Sequence, residues 1–294
     1  MRENRYIFCR EEEFDRKRYG PLLMFIAFLL LYAVLSAAVL FIAGAVSSLE
    51  KNGDLSEAAG LMIMSMRGMM FTKKYSTQWM IVMFGTNIAM IPSLWLSHMA
   101  AFGKAPAKII SASGRWRWPV FAKYLALSVA LFGPYMLLAA RNMHKIWACI
   151  PAKSMLLLIA MCLLQCLAEE MVFRGYALQT FSTLSGSALF GIVIQAFCFT
   201  IAHLYTTEMS ALVFITAFTW GVLCCVTEGI EASFSMHLLF NMTHFIPDAA
   251  GYGTPADTGK TVYKYAACIA VSVIIAVLEA APKAHAAQAE RRRT

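Results

Sequence analysis

The chain is short of charge, and it lacks the marks of a protein built for water. Only 14% of its 294 residues are Asp, Glu, Lys or Arg, against roughly 25% in soluble domains. That shortage excludes disorder and an ordinary soluble domain. The eight cysteines, Cys9, Cys149, Cys162, Cys166, Cys198, Cys224, Cys225 and Cys268, form no CxxC and no regular spacing. A disulfide framework and a zinc knuckle are therefore not expected. Most of these cysteines lie in apolar stretches and read as small hydrophobic filler, as do many of the 19 methionines. The sequence also has no HExxH, no internal repeat, no low-complexity tract and no segment that reads as a soluble domain.

What is present is hydrocarbon. Hydrophobic residues make up 60% of the chain and the mean hydropathy is +0.62, so lipid is the expected solvent. A helix needs ~20 residues at 1.5 Å rise to cross a ~30 Å hydrocarbon core. The apolar runs predict an all-α fold, a polytopic helical membrane bundle with about eight transmembrane helices. They fall near 21–46, 78–102, 120–140, 154–177, 188–205, 210–227, 230–246 and 262–281. Residues 1–20 read as a mixed-charge head, 21–281 as the transmembrane domain and 282–294 as a basic tail. The first run is too long, and too acidic at its front, for a signal peptide. The piece Leu61 to Phe71 is short for a span and reads as interfacial or re-entrant.

The net charge is +8, which in a soluble protein would suggest nucleic acid. Here the bilayer is the expected partner and no nucleic acid is expected, so position matters more than the sum. Lys104, Lys108, Arg115 and Arg117 share one loop without an acid, which places that loop in the cytoplasm. Trp116 and Trp118 beside them fit an interfacial belt. The tail carries Arg291, Arg292 and Arg293. An even span count puts head and tail together, so both termini are expected to be cytoplasmic. Arg141, Lys145 and Lys153 fall in a loop that this count places outside. Seven or nine elements, one of them re-entrant, thus stay open.

Ionisable groups inside spans are expensive, at least ~2.5–3.5 kcal/mol each on insertion scales, and they tend to mark function. They cluster in the second half of this chain. Glu169 and Glu170 are adjacent, about 100° apart on a helix. Glu170 and Arg174 are i,i+4 and suit an ion pair, which leaves Glu169 outside that pair. The competing explanation is a plain helix end where charges reach water. His203 closes the run AFCFTIAH, where a packed, hydrogen-bonded histidine would be ordinary. His237, Asn241 and His244 line one helix face at i, i+4, i+7. Their competing explanation is an interhelical hydrogen-bond seam.

A carboxylate, two histidines and an amide on three helices suit water chemistry. The carboxylate serves as general base, one histidine helps hold the water, and the other histidine and the amide face a developing oxyanion. Glu169, His203 and His237 would equally make a His2Glu zinc site, so Zn stays open as a cofactor.

The motifs EExxxR (Glu169, Glu170, Arg174), FxxxH (Phe199, His203) and HxxxN (His237, Asn241), in this order on successive apolar segments, resemble the CPBP family of intramembrane proteases. That family includes CAAX prenyl endopeptidases and bacterial bacteriocin-processing or immunity proteins. The resemblance spans about 154–250, which it marks as the catalytic half, and all motif positions are intact. It implies Glu169 as general base, Glu170 as supporting acid and Arg174 as a brace acting through Glu170. It implies His203 acting with Glu169 on the water, His237 and Asn241 at the oxyanion, and Phe199 as packing. His244 lies outside the motifs and reads as a packed histidine. The implied substrate is a prenylated, leader-type or other membrane-associated peptide, or a membrane protein. Short loops and modest length point to a bacterial cell membrane. The alternative of another class is a non-catalytic scaffold or bacteriocin-immunity protein of the same fold. A proton-coupled transporter ranks below both, because the polar cluster stays in one half without duplication.

Overall fold

The computed structural model describes residues 6–7, 19–50, 76–106, 108–140, 151–203, 207–249 and 258–291. The piece 61–71, the loop bearing Arg141 and Lys145, most of the head and the last three residues lie outside that set. Eight helices are present among the described residues: α1 (Gly20–Glu50), α2 (Thr77–Phe102), α3 (Trp118–Ala140), α4 (Ala152–Ser185), α5 (Ala188–His203), α6 (Thr207–Thr227), α7 (Glu231–Pro247) and α8 (Thr258–Arg291). Extended pairing among them amounts to one isolated bridge, Ser111 to Gly229.

Local chemistry sets the ends. Ser76 caps α2 by accepting from the Trp79 backbone N–H at 3.2 Å. Gly103 stops α2 at φ 73° and Gly186 stops α4 at φ 68°, the left-handed C-cap that glycine adopts without strain. α8 continues through Pro282 to Arg291, along an alanine-rich stretch with high helix propensity.

Among the described residues, five helices are long and apolar enough to cross a membrane, where about eight spans were expected: α1, α2, α4, α6 and α8. With α1 exposing Leu22, Leu30 and Val34 and α8 exposing Ile274, Val277 and Leu278, the chain is a multi-pass membrane protein. Exposed apolar faces are what lipid requires. α5 and α7 have only 16 and 17 residues, about 24–26 Å of helix. The surroundings of α7 explain its sequence. Residues 231–238 are buried without a break, and α3, α4 and α6 pack around it. A helix buried on every side faces protein, so it can carry Ser, His and Asn.

The foot of α7 is tied down by charge. Glu231 is fully buried at its first turn, where the helix dipole favours an anion. Arg117 Nε donates to Glu231 Oε1 at 2.9 Å, Nη2 to Oε2 at 2.7 Å and the Arg117 backbone N–H to Oε1 at 3.0 Å. The remaining arm, Nη1, reaches the Thr227 carbonyl at 2.8 Å. Between them stands Gly229, where a Cβ would collide with Arg117 Nη2 and Glu231 Oε2. The segment 108–117 is thereby pinned beneath the α6–α7 turn, with the Ile230 N–H donating to the Ile110 carbonyl at 2.9 Å. It also meets α4, because Gln179 Nε2 donates to the Lys108 carbonyl at 3.0 Å.

Removing the guanidinium would leave Glu231 buried without its counter-charge, with the Arg117 backbone N–H still donating to it. Arg117→Ala is expected to cost about 3 kcal/mol, as broken buried pairs do. Arg117→Lys should recover only part of this, since an ammonium lacks the planar fork. Thermal unfolding in detergent measures both, and an unchanged midpoint for Arg117→Ala would refute the tie.

Candidate active site

α4 runs unbroken through both glutamates. It is α-helical to Glu169, winds as a π-helix over Glu170–Ala177 and returns to α-helix until Ser185. The fourth apolar run was expected to end at 177. The backbone simply continues. A helix end with charges in water is thus excluded: Glu169 is 4% exposed, and Glu170 and Arg174 are 0% exposed. Wide π turns recur at functional sites.

The two glutamates bracket one imidazole. His237 Nδ1 lies 2.9 Å from Glu170 Oε1, and His237 Nε2 lies 3.5 Å from Glu169 Oε2. Neighbouring side chains diverge on α4, as their angular separation requires. They meet again only because α7 presents a ring with two nitrogens between them.

Glu170 is saturated. Arg174 Nη1 donates to its Oε1 at 3.0 Å, the expected i,i+4 pair. Ser233 Oγ donates to Oε2 at 2.6 Å. A carboxylate only accepts, so His237 Nδ1–H is the donor in the third bond. Cys224 Sγ lies 3.0 Å from Ser233 Oγ and completes the chain of contacts to α6. The Arg174 guanidinium sits 4.2 Å from the Phe199 ring centroid and 5.4 Å from that of Trp220. Two aromatic faces thus shelter a buried cation. One residue cluster locks α4, α5, α6 and α7 together.

Glu169 is satisfied on one side only. Gln165 Nε2 donates to its Oε1 at 2.5 Å. Its Oε2 is buried and accepts no hydrogen bond among the described residues. Asn241 Nδ2 approaches His237 Nε2 at 3.2 Å and Cys166 Sγ at 3.4 Å, so the amide lies at the same end of the imidazole as Glu169. His203 joins through aromatic packing. Its Nδ1–H donates to the Phe199 carbonyl at 2.8 Å. Its ring is 4.4 Å from that of Phe199, and Phe199 lies 6.0 Å from His237. His244 stands apart, edge-on to Phe240 at 5.0 Å.

The sequence reading passed over three members of the cluster. Gln165 precedes Glu169 by one turn, and Ser233 precedes His237 by one turn. Both carry an i,i+4 signal visible in the sequence. Trp220, whose ring is 4.9 Å from that of His237, carries no such signal. Among the described residues, no group of three or more His, Cys, Asp or Glu side chains is gathered as a metal site. The set Glu169, His203 and His237 as placed does not fit three-ligand coordination, and no step below passes through a metal.

Arg174→Ala would strand Glu170 inside the bundle. A loss of about 3–5 kcal/mol is expected, read as a fall in monodisperse protein after solubilisation. Ser233→Ala should cost less, about 1.5–3 kcal/mol for one hydrogen bond to a charged group. Normal yield and unfolding midpoint in Arg174→Ala would show that Glu170 does not depend on it.

Residues 151–243 match the family described as Rce1-like, type II CAAX prenyl endopeptidase. No curated protein and no solved structure matches the chain. The matched segment opens at the start of α4 and closes within α7, so it contains Glu169, Glu170, Arg174, Phe199, His203, His237 and Asn241. Over that segment, which is less than half of the chain, the protein is similar to this Rce1-like family of CAAX prenyl endopeptidases.

Proposed function

We propose that this chain is an endopeptidase that hydrolyses a peptide bond within the membrane, using water activated by Glu169 and His203. The observation that carries the reading is the asymmetry of the two glutamates. Glu170 takes three donors, whereas Glu169 keeps one buried oxygen, Oε2, without a hydrogen bond among the described residues. An acceptor held by Gln165 on one side and open on the other is what a general base needs.

The chemistry follows from these groups. Water between Glu169 Oε2 and His203 Nε2 attacks the scissile carbonyl carbon and gives a proton to Glu169. The carbonyl π bond opens to an oxyanion beside Asn241 and His237. That oxyanion collapses, the C–N bond breaks, and Glu169 returns the proton to the leaving amine. Glu170, Ser233 and Arg174 touch none of the reacting atoms and hold His237 in place. Positioned acid–base catalysis is worth roughly 10²–10⁴ in rate, and one oxyanion donor roughly 10²–10³.

The substrate best suited to the site is a prenylated, leader-type or otherwise membrane-associated peptide, which the bilayer delivers to a buried centre. A bacterial cell membrane with both termini in the cytoplasm accords with the short loops and the basic pattern of head, tail and 104–117 loop.

The decisive experiment compares peptides released by membranes carrying wild type and Glu169→Gln at equal protein level. A product present only with wild type is expected, and it should persist after chelation. Equal products from both would refute the hydrolytic role and favour a scaffold. Asn241→Ala should lower kcat about 10²–10³-fold at unchanged folded yield, as measured on the product so identified.

A further inference from the structure

Gln165 has an unused half. Its side chain is 7% exposed, and its Nε2 is committed to Glu169 Oε1 at 2.5 Å. That commitment fixes the amide's orientation, because a carboxylate cannot donate to the carbonyl end. The carbonyl oxygen, Oε1, is buried and accepts no hydrogen bond among the described residues. Buried polar atoms in folded proteins are almost always paired, so an orphan acceptor beside a reactive carboxylate points to a donor that arrives with the ligand.

Two such acceptors stand together here, Gln165 Oε1 and Glu169 Oε2. Neither can serve the other, since both are acceptors. The water of the proposed reaction supplies an O–H to Glu169. Gln165 requires a second donor, and a peptide offers one in its backbone N–H. Gln165 lies one turn, about 5.4 Å, from Glu169 along α4. An extended chain advances about 3.3 Å per residue. The N–H in reach thus belongs to a residue one or two positions from the scissile carbonyl.

We infer that Gln165 is a substrate-binding residue: its Oε1 accepts a backbone N–H of the substrate next to the scissile bond while its Nε2 holds Glu169. The inference rests on the hydrolytic reading above. It makes substrate recognition at this point a matter of the peptide backbone, independent of side-chain identity. The substrate strand then lies along α4, toward Cys162.

The test uses the full-length protein in detergent and the peptide released by wild type. The cleaved sequence is resynthesised with one backbone amide at a time replaced by an ester, within three residues of the cut and sparing the scissile bond. Each analogue is assayed with wild type and with Gln165→Met, a variant of similar length without donor or carbonyl. Gln165→Leu serves if the Met variant does not fold. For wild type, one ester position within two residues of the cut should lower kcat/KM about tenfold, the effect of one lost hydrogen bond. The same ester should change the Gln165 variants less than about twofold, because the acceptor is already gone. If Gln165 only orients Glu169, its substitution lowers kcat for every analogue alike and the two effects multiply at each position, which overturns the inference. Equal cleavage by wild type and Glu169→Gln would instead overturn the hydrolytic reading itself.

Discussion

A carboxylate without access to water has to find its donors inside the protein, and Glu170 is that carboxylate. Arg174, Ser233 and His237 supply them. Each donor brings a constraint. Arg174 must lie one turn along α4, and its charge must be covered by Phe199 of α5 and Trp220 of α6. Ser233 and His237 must come from one face of α7. A single buried anion thus specifies how four helices meet, which apolar packing against lipid does weakly. Hydrocarbon is as apolar as leucine and supplies little drive for one helix to choose another.

The same constraint explains the architecture around the cluster. α7 carries too many polar groups to face lipid, so it stands inside, wrapped by α3, α4 and α6. The lipid-facing work goes to helices such as α1 and α8, whose exposed residues are Leu, Ile and Val. At the foot of α7 a second buried anion, Glu231, repeats the device with Arg117. The upper knot sets the rotation of α7, and the lower one sets its height.

Two neighbouring glutamates end in different chemical states of readiness because their surroundings differ. Glu170 is held from three directions and has no oxygen to spare. Among the described residues, Glu169 takes one hydrogen bond, from Gln165. The imidazole of His237 between them couples the two, since the bond from Nδ1–H to Glu170 directs Nε2 toward Glu169 and Asn241. Structural rigidity on one side of the ring thereby orients the other side, where the proposed base lies.

Spacing along a single helix was legible in the sequence. The Glu170–Arg174 pair, the shared face of His237 and Asn241, and the approximate position of each helix all follow from a 3.6-residue period and from runs of hydropathy. The continuation of α4 to Ser185 did not follow, because residues 178–185 carry Gln, Thr and Ser and hydropathy does not mark them as part of a span. Five of about eight expected spans are long and apolar enough to cross among the described residues, and α5 and α7 are shorter helices. Gln165 and Ser233 lay one turn from motif residues and were passed over, since uncharged amides and hydroxyls raise no alarm in a hydropathy reading. The contact of Arg117 with Glu231 joins residues 114 positions apart, and Trp220 reaches His237 from another helix. By itself the sequence determined what each helix carries and which of its residues share a face. Only the tertiary structure decided which faces meet and which carboxylate keeps a free oxygen, because those outcomes depend on donors supplied across helices, and local periodicity holds no record of them.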